Sequence, residues 1–340
     1  MGEVIGMKLH SKSLAAAGCL LLALSATAQS PYKVVDHWKI GGTGGWDYLL
    51  VDSPAHRLYI AHNNRIEVVD TTTGKLAGAV TGLKSTHGVA LNPDGKTGYI
   101  SDGAGNAVVI FDRKSFAILA TIPVGTNPDG ILYEPTTKTV WAFNGRSNNI
   151  SVIDPAKKTV IATIPVPGKP EFPQVDARGA VFVNIEDRNS IVKLDAATRK
   201  LVATWPLPGC ESPSGLALDT EHNRLFSVCD GEKMPVTDAK TGQQIALATI
   251  GGGPDAAGYN AKDQLAFSSN GETGTLSVID AAHGYKTIQT LPTKKGARTM
   301  AYDATSNRVY LMSVEYGAPI AGSKRPPIVP GTFEVIVVGK

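Results

Sequence analysis

The chain has 340 residues, of which 42% are hydrophobic and 19% charged, so it has enough apolar mass for a substantial core and is not intrinsically disordered. Its 36 glycines and 21 prolines exclude a helical bundle, because these residues end helices and form turns. A formal net charge of +3 gives no sign of nucleic-acid binding through bulk charge.

The first 28 residues have the pattern of a secretory signal peptide. Lys8 and Lys12 precede an apolar run over residues 14–24, and residues 26–28 (Ala-Thr-Ala) form a small-residue cleavage motif. The apolar run is too short to span a bilayer, which disfavours a membrane anchor. We therefore expect cleavage after this motif, a single domain over residues 29–340, and a periplasmic or secreted protein with no membrane span.

Two series of polar residues recur along the chain at intervals of about 42 residues, which indicates a repeat architecture. The first series closes short β-prone runs and consists of Asp70, Asp112, Asp154, Asp195, Asp238 and Asp280. The second series ends short apolar runs and consists of Asp52, Asn92, Glu134, Asp176, Asp219, Asn260 and Asp303. We interpret the aspartates of the first series as turn residues rather than ligands.

Each repeat contains four short segments rich in β-branched residues. In the third repeat they cover residues 130–133, 139–143, 150–153 and 159–164, with turn residues between them. Four antiparallel strands in a repeat of this length are typical of a propeller blade. The sequence therefore predicts an all-β fold, a seven-bladed β-propeller.

The phase of the repeat predicts how the ring closes. Residues 32–40 align with the fourth strand of other repeats, whereas the last repeat stops one strand short after residues 333–338. We expect the N-terminal strand to complete the last blade, because this pairing removes an open sheet edge and joins the two ends of the domain.

Two of the three cysteines remain after signal-peptide removal, Cys210 and Cys229. Both fall at the same face of the predicted fifth blade. An oxidising compartment favours their pairing, so we expect a disulfide between them.

The repeats also resemble a known family. The runs at residues 58–63, 128–131, 149–154, 162–166 and 275–280 are similar to those of YVTN-repeat (YncE-like) β-propellers. The resemblance covers essentially residues 32–340 and implies the same propeller fold. Members of that family have been linked to cell-surface roles and, in one branch, to single-stranded DNA.

The best candidate site is the position that opens each innermost strand, because these positions converge around one mouth of the central channel. The seven residues there are Asp47, His87, Asp129, Glu171, Ser214, Asp255 and Arg298. Their excess of carboxylates predicts an acidic ring.

Three interpretations of this ring remain open. Asp47, His87, Asp129 and Glu171 could hold Ca²⁺, Mn²⁺ or Zn²⁺. In a catalytic site, His87 would act as general base beside Asp129, with Arg298 stabilising an oxyanion. In a purely structural arrangement, the side chains would accept N–H groups of nearby loops.

Other residues are predicted at the same face. His62 ends a second strand there, and Trp46 could either stack on a ring-shaped ligand or pack between blades. Residues 315–332 form an insertion in the last blade that includes Tyr316 and is predicted to overhang the mouth, either as a lid or recognition loop or as a disordered segment. Four further histidines, His37, His56, His222 and His283, are expected to be exposed.

The sequence thus predicts an exported, monomeric binding scaffold. Its small-molecule or protein ligand would contact Trp46, Asp47, His62, Glu171, Asp255, Arg298 and Tyr316. The alternative is a metal-assisted hydrolase of lactonase type at the same mouth. Single-stranded DNA binding is a weaker alternative, which the resemblance implies and the near-neutral charge disfavours.

Overall fold

The computed structural model describes residues 1–3, 6, 31–320, 322 and 326–340. The expected signal peptide and its cleavage motif lie almost wholly outside the described residues. Residues 31–340 form one compact unit. Among the described residues, no helix has both the length and the apolar character needed to cross a membrane.

The unit is a ring of seven blades, each a sheet of four antiparallel strands, as the sequence predicts. Blade 1 contains β2 (Trp46–Asp52), β3 (Arg57–His62), β4 (Arg65–Asp70) and β5 (Lys75–Val80). Blade 2 contains β6 (Thr86–Leu91), β7 (Thr97–Asp102), β8 (Ala107–Asp112) and β9 (Ile118–Pro123), with a 3₁₀ turn at Gly103–Gly105. Blade 3 contains β10 (Pro128–Glu134), β11 (Thr139–Asn144), β12 (Asn149–Asp154) and β13 (Thr159–Pro165).

The remaining blades repeat this order. Blade 4 contains β14 (Pro170–Val175), β15 (Ala180–Ile185), β16 (Ser190–Asp195) and β17 (Lys200–Pro206), with a 3₁₀ turn at Glu186–Arg188. Blade 5 contains β18 (Leu216–Asp219), β19 (Arg224–Ser227), β20 (Lys233–Asp238) and β21 (Gln244–Thr249). Blade 6 contains β22 (Pro254–Asn260), β23 (Leu265–Asn270), β24 (Thr275–Asp280) and β25 (Lys286–Pro292). Blade 7 contains β26 (Met300–Asp303), β27 (Arg308–Ser313), β28 (Glu334–Gly339) and β1 (Lys33–Lys39).

The ring closes through the N-terminal strand. β1 pairs antiparallel with β28, from Lys33 opposite Gly339 to Lys39 opposite Glu334, so the chain's two ends share one sheet. Trp38 fixes this strand to the core, because it is buried and its ring centroid lies 5.4 Å from that of Tyr310. The predicted closure is confirmed.

The apolar cores lie between adjacent blades. One of them joins Trp141 and Phe143 of blade 3 to Val181 and Val183 of blade 4. Alternate residues of a strand point to the same face, so each strand supplies one row of side chains to such a core. Removing a large buried aromatic side chain typically costs about 3–5 kcal/mol, so these interblade cores hold the ring together.

The polar residues of the first series end the blades' third strands and cap the turns that follow. The carboxylate of Asp70 accepts the N–H groups of Thr72 and Thr73 at 3.0 and 2.9 Å. Backbone hydrogen bonding, led by Thr73, lowers the pKa of Asp70. The same turn is capped by Asp112, Asp154, Asp195, Asp238 and Asp280. Their interpretation as turn residues is confirmed.

Cys210 and Cys229 form the expected disulfide, with a Cα–Cα distance of 5.4 Å. Both residues are buried in the core between blades 4 and 5. The bridge joins the segment before β18 to the segment after β19.

Candidate functional site

The seven inner strands line a central channel. Each contacts the next around the ring, from β2 to β26, and β26 contacts β2 again. We call the mouth where these strands begin the upper mouth, and the one where they end the lower mouth. Because all seven strands run in the same direction, side chains at equivalent starting positions meet at the upper mouth.

Three of the predicted ring residues form a compact cluster. His87 Nδ1 lies 2.6 Å from Asp47 Oδ2 and 3.8 Å from Asp129 Oδ1. A Cβ atom at Gly103 would lie 2.4 Å from His87 Nε2, so glycine at that position leaves room for the imidazole. One side chain from each of three consecutive blades therefore meets at a single point.

Burial and the charges within the cluster shift the pKa values of its members. Burial opposes protonation of His87, but the hydrogen bond to Asp47 and the charges of Asp129, Asp47 and Glu171 outweigh it and raise its pKa to about 9. Burial, followed by repulsion from Asp47, raises the pKa of Asp129 to about 7. At neutral pH the imidazole is therefore protonated, whereas a general base must be unprotonated.

A second group of residues surrounds Glu171 of blade 4. Lys169 Nζ lies 2.5 Å from Glu171 Oε1 and 2.5 Å from Glu186 Oε2. The Tyr48 hydroxyl of blade 1 donates to Glu171 Oε2 at 3.3 Å. Burial and the charge of Asp129 raise the pKa of Glu171 to about 9, although Lys169 acts in the opposite direction.

The third group joins blades 6 and 7 to blade 1. Arg298 Nε donates to Asp255 Oδ2 at 2.8 Å, and Arg298 Nη2 donates to the carbonyl oxygen of Trp46 at 2.9 Å. The guanidinium also lies over the indole, 5.2 Å from its centroid. Burial raises the pKa of Asp255 to about 6 even though Arg298 lowers it.

The ring is therefore a set of carboxyl groups in contact with cationic side chains rather than a bare acidic surface. Its carboxylates face three cationic side chains, His87, Lys169 and Arg298. Within the described part of the chain, the carboxylates of Asp47, Glu171 and Asp255 bond to side chains, Asp129 lies 3.8 Å from His87, and none of the four accepts a backbone N–H group. The loop-capping interpretation of these four residues does not describe the contacts they make.

An open cavity of about 550 Å³ adjoins this ring on the side of blades 5 to 7, and we call it the upper cavity. Asp255 and Arg298 form part of its wall, together with Asp230 and Glu272 at the ends of second strands. Burial, followed by the charges of Glu272, Glu186 and Glu211, raises the pKa of Asp230. Lys295 also lines the cavity, but beyond the Asp255–Arg298 pair the carboxyl groups of Glu186, Asp230 and Glu272 outnumber this one cation.

The insertion in blade 7 borders the same cavity. Tyr316 and Ile328 form an antiparallel bridge, and the Val329 N–H donates to the Glu315 carbonyl oxygen at 2.9 Å. Tyr316 and Pro326 both line the upper cavity. The tip of the insertion, at residue 321 and residues 323–325, lies outside the described residues.

One of the sequence-derived site residues is placed differently from expectation, and another follows one of its two predicted alternatives. His62 is fully buried, stacks on Phe333 at a centroid distance of 3.8 Å, and does not line the upper cavity. Trp46 is 5% exposed and packs 5.8 Å from Phe333, which matches the interblade alternative rather than an open stacking platform. The four histidines expected in solvent, His37, His56, His222 and His283, are exposed.

Sequence reasoning missed Lys169 and Tyr48. Lys169 directly precedes β14 and falls two positions before Glu171, so it lies outside the periodic series although it supplies the ring's third cation. Tyr48 follows Asp47 on β2, and its hydroxyl reaches across the channel to another blade. Lys169 could have been found from the sequence, because a lysine lies beside the carboxylate that opens the strand. No periodic signal points to Tyr48.

The Asp47–His87–Asp129 cluster has the donor set of a divalent-cation site. One ligand atom from each residue lies within 4.8 Å of the others, and two carboxylates plus one imidazole suit Mn²⁺ or Zn²⁺. Binding would require His87 to lose its proton and Asp47 to release its hydrogen bond. The residues therefore fit a metal ion, provided that the ion replaces the His87 proton and the hydrogen bond to Asp47.

Comparison with known proteins extends to the fold alone. No protein-family model matches the chain, and no curated protein matches it. The chain is similar to the solved structure of Kuenenia stuttgartiensis hydrazine synthase, with a TM-score of 0.72, 16% identity, and coverage of 78% of this chain and 92% of that one. It is also similar to the structure of U3-55K, with a TM-score of 0.75, 10% identity, and coverage of 90% and 98%. Identities this low carry over the propeller architecture and no activity.

Proposed function

We propose that the protein is an exported binding scaffold of the YVTN-repeat (YncE-like) type, and that its upper cavity binds a polar ligand with a positively charged group. The observation that carries this proposal is the charge of the upper cavity. Asp230 and Glu272 line it, and neither carboxylate has an ion-pair partner among the described residues. A cationic group placed between them would make charge-assisted hydrogen bonds.

The size and shape of the cavity support a ligand of modest dimensions. Its volume of about 550 Å³ lies inside the range of about 300–1,000 Å³ found for small-molecule sites. Tyr316 and Pro326 of the blade 7 insertion flank it and supply apolar contact beside the charged wall. A lysine- or arginine-bearing loop of a partner protein presents the same chemistry as a small cation.

Differential scanning fluorimetry tests the binding proposal. Agmatine and putrescine should raise the melting temperature, whereas the dianion succinate should not. A ligand at about 100 times its Kd stabilises a protein by about 2.7 kcal/mol, which is readily measured. Failure of every cation to raise the melting temperature would contradict the assignment to small molecules. Pull-down with a lysine-rich peptide would then test whether the cavity binds a partner protein instead.

A matched pair of variants locates the site. Glu272→Gln should weaken agmatine binding about tenfold, because it removes one charge-assisted hydrogen bond worth about 1.5 kcal/mol or more. Glu221→Gln makes the same change in an exposed turn at the lower face and should leave binding unchanged. Equal effects of the two variants would show that the cation does not bind in the upper cavity.

Export is tested separately. The signal-peptide pattern predicts that protein recovered from the periplasm or medium begins at Gln29, which N-terminal mass spectrometry measures directly. Recovery of the intact N terminus in the cytoplasm would contradict it.

A second candidate function, metal-assisted hydrolysis, is favoured by the Asp47–His87–Asp129 cluster. Protein reloaded with Mn²⁺ or Zn²⁺ after chelation should then retain one equivalent and hydrolyse a simple lactone. Asp129→Asn should abolish both properties, whereas Asp94→Asn, in an exposed turn, should not. Retention of metal by Asp129→Asn would exclude this site.

A further inference from the structure

Two aromatic side chains from non-adjacent blades meet across the channel. Tyr48 of blade 1 and Phe172 of blade 4 meet edge to face with their ring centroids 4.8 Å apart. Blades 1 and 4 are not neighbours, so this contact crosses the channel. The hydrogen bond from Tyr48 to Glu171 holds the tyrosine in place from above.

A separate cavity of about 510 Å³ lies on the other side of these rings and reaches the lower mouth. We call it the lower chamber. It has no lining residue in common with the upper cavity. Its volume again falls in the range of about 300–1,000 Å³ that is typical of small-molecule sites.

The wall of the lower chamber is apolar. Five of its half-buried apolar side chains, Leu50, Val51, Leu91, Tyr133 and Val175, pack at the margins of interblade cores, and the half-buried polar residues of the same wall are Ser53 and Gln174. The cores therefore end at the chamber and leave apolar surface facing it. Such surface gains free energy when a ligand removes it from water.

Charge is nearly absent from this wall. Among the described residues that line it, the one charged side chain is Asp52, which already forms an ion pair with Arg113 of blade 2. A charged ligand would lose its hydration in the chamber without gaining a counter-ion. The upper cavity, by contrast, carries unpaired carboxylates, so the two ends of the channel select opposite chemistries.

We propose that the lower chamber is a second binding site, specific for a small uncharged molecule with an aromatic or aliphatic body. The enclosing walls from four blades and the aromatic floor of Tyr48 and Phe172 fit a compact molecule, which can stack edge to face on those rings. The site lies at the opposite mouth from the proposed cation site and does not depend on it.

Titration with the uncharged fluorescent probe N-phenyl-1-naphthylamine tests the proposal. The full chain should bind one equivalent, seen as a saturable rise in fluorescence. Val51→Asp places a charge in the chamber wall and should weaken binding at least tenfold. Val202→Asp makes the same substitution at a valine that is 58% exposed on the outer strand β17, and it should bind the probe like the parent protein. Absence of saturable binding, or equal loss in both variants, would overturn the proposal.

A crystallographic measurement decides the question even if Val51→Asp does not fold. Crystals of the unaltered protein soaked in 1-bromonaphthalene should show an anomalous bromine peak inside the lower chamber, within van der Waals reach of Phe172. A peak confined to another site would refute the assignment. A chamber filled by a loop of a neighbouring copy would also refute it and identify a protein segment as the occupant.

Discussion

The sharpest prediction concerns Asp129, whose carboxyl is buried among like charges at the upper mouth. Its pKa of about 7 in the folded protein lies above the ordinary value of 3.8. Between pH 4 and 7 the folded chain therefore binds a proton that the unfolded chain has released, so stability falls as pH rises. The slope is about 1.4 kcal/mol per pH unit at pH 5 and falls to about half of that at pH 7, where Asp129 is half titrated, so the loss between pH 5 and pH 7 is about 2 kcal/mol.

Replacement by the nearly isosteric Asn should remove this pH-dependent cost. We expect Asp129→Asn to gain about 2 kcal/mol relative to the parent protein when the pH is raised from 5 to 7. Urea unfolding of both proteins in buffers with EDTA, which keeps metal ions away from the cluster, measures the difference. Asp94→Asn, at an exposed turn, is the control and should show no such gain.

His87 provides an independent readout of the same electrostatics. Its pKa of about 9 should appear as an imidazole NMR titration with a midpoint far above 6.5. Because the folded value is the higher one, its stabilising contribution is complete below pH 6.5 and is lost as pH rises towards 9. Asp129→Asn should lower this midpoint, since it removes one of the charges that favour the imidazolium. A normal midpoint in the parent protein, or an unchanged pH dependence in the variant, would refute this account of the cluster.

Three further predictions concern stability. Replacing both Cys210 and Cys229 with Ser should lower the free energy of unfolding by about 3 kcal/mol, from the closed loop they span, and an unchanged urea midpoint would contradict this. Trp38→Ala should cost about 3–5 kcal/mol and speed amide hydrogen exchange in the closing blade; slow exchange there would show that the closing strand contributes little. Arg298→Met should destabilise the protein at pH 7 by leaving Asp255 unpaired, and Asp255→Asn added to it should recover about 2 kcal/mol; a double variant no more stable than the single one would show that the pair is not coupled.

The fold was predictable because each repeat contains its own strand and turn signals. β-branched runs of strand length recur in every blade and an aspartate-capped turn in six of the seven, so the prediction for one repeat is checked by the others. The closure by β1 followed from phase alone, since residues 32–40 match a fourth strand and blade 7 lacks one of its own.

The site was predictable in position but not in chemistry. Counting along the strands found the ring, because equivalent positions meet at the same mouth. Lys169 lies in a loop outside the periodic series, yet it adds a positive charge to the ring. The contact of Tyr48 with Phe172 joins blades that are far apart in sequence. His62 is buried where Phe333, the residue that follows the blade 7 insertion, stacks on it, a contact that no repeat pattern encodes.

Carboxylates recur at three positions in the blades, and their hydrogen-bond donors separate structural from functional roles. Asp70 and its equivalents accept backbone N–H groups from the turn that they begin, as does Glu134 from Thr136 and Thr137 at 2.8 Å. Such carboxylates are satisfied locally and would be so in an isolated hairpin. Asp47 and Asp255 instead bond to side chains of the next blade, so their satisfaction depends on ring closure. These interblade pairs exist only in the assembled channel, which makes the mouth a place where a bound ligand can exchange partners without unfolding a blade.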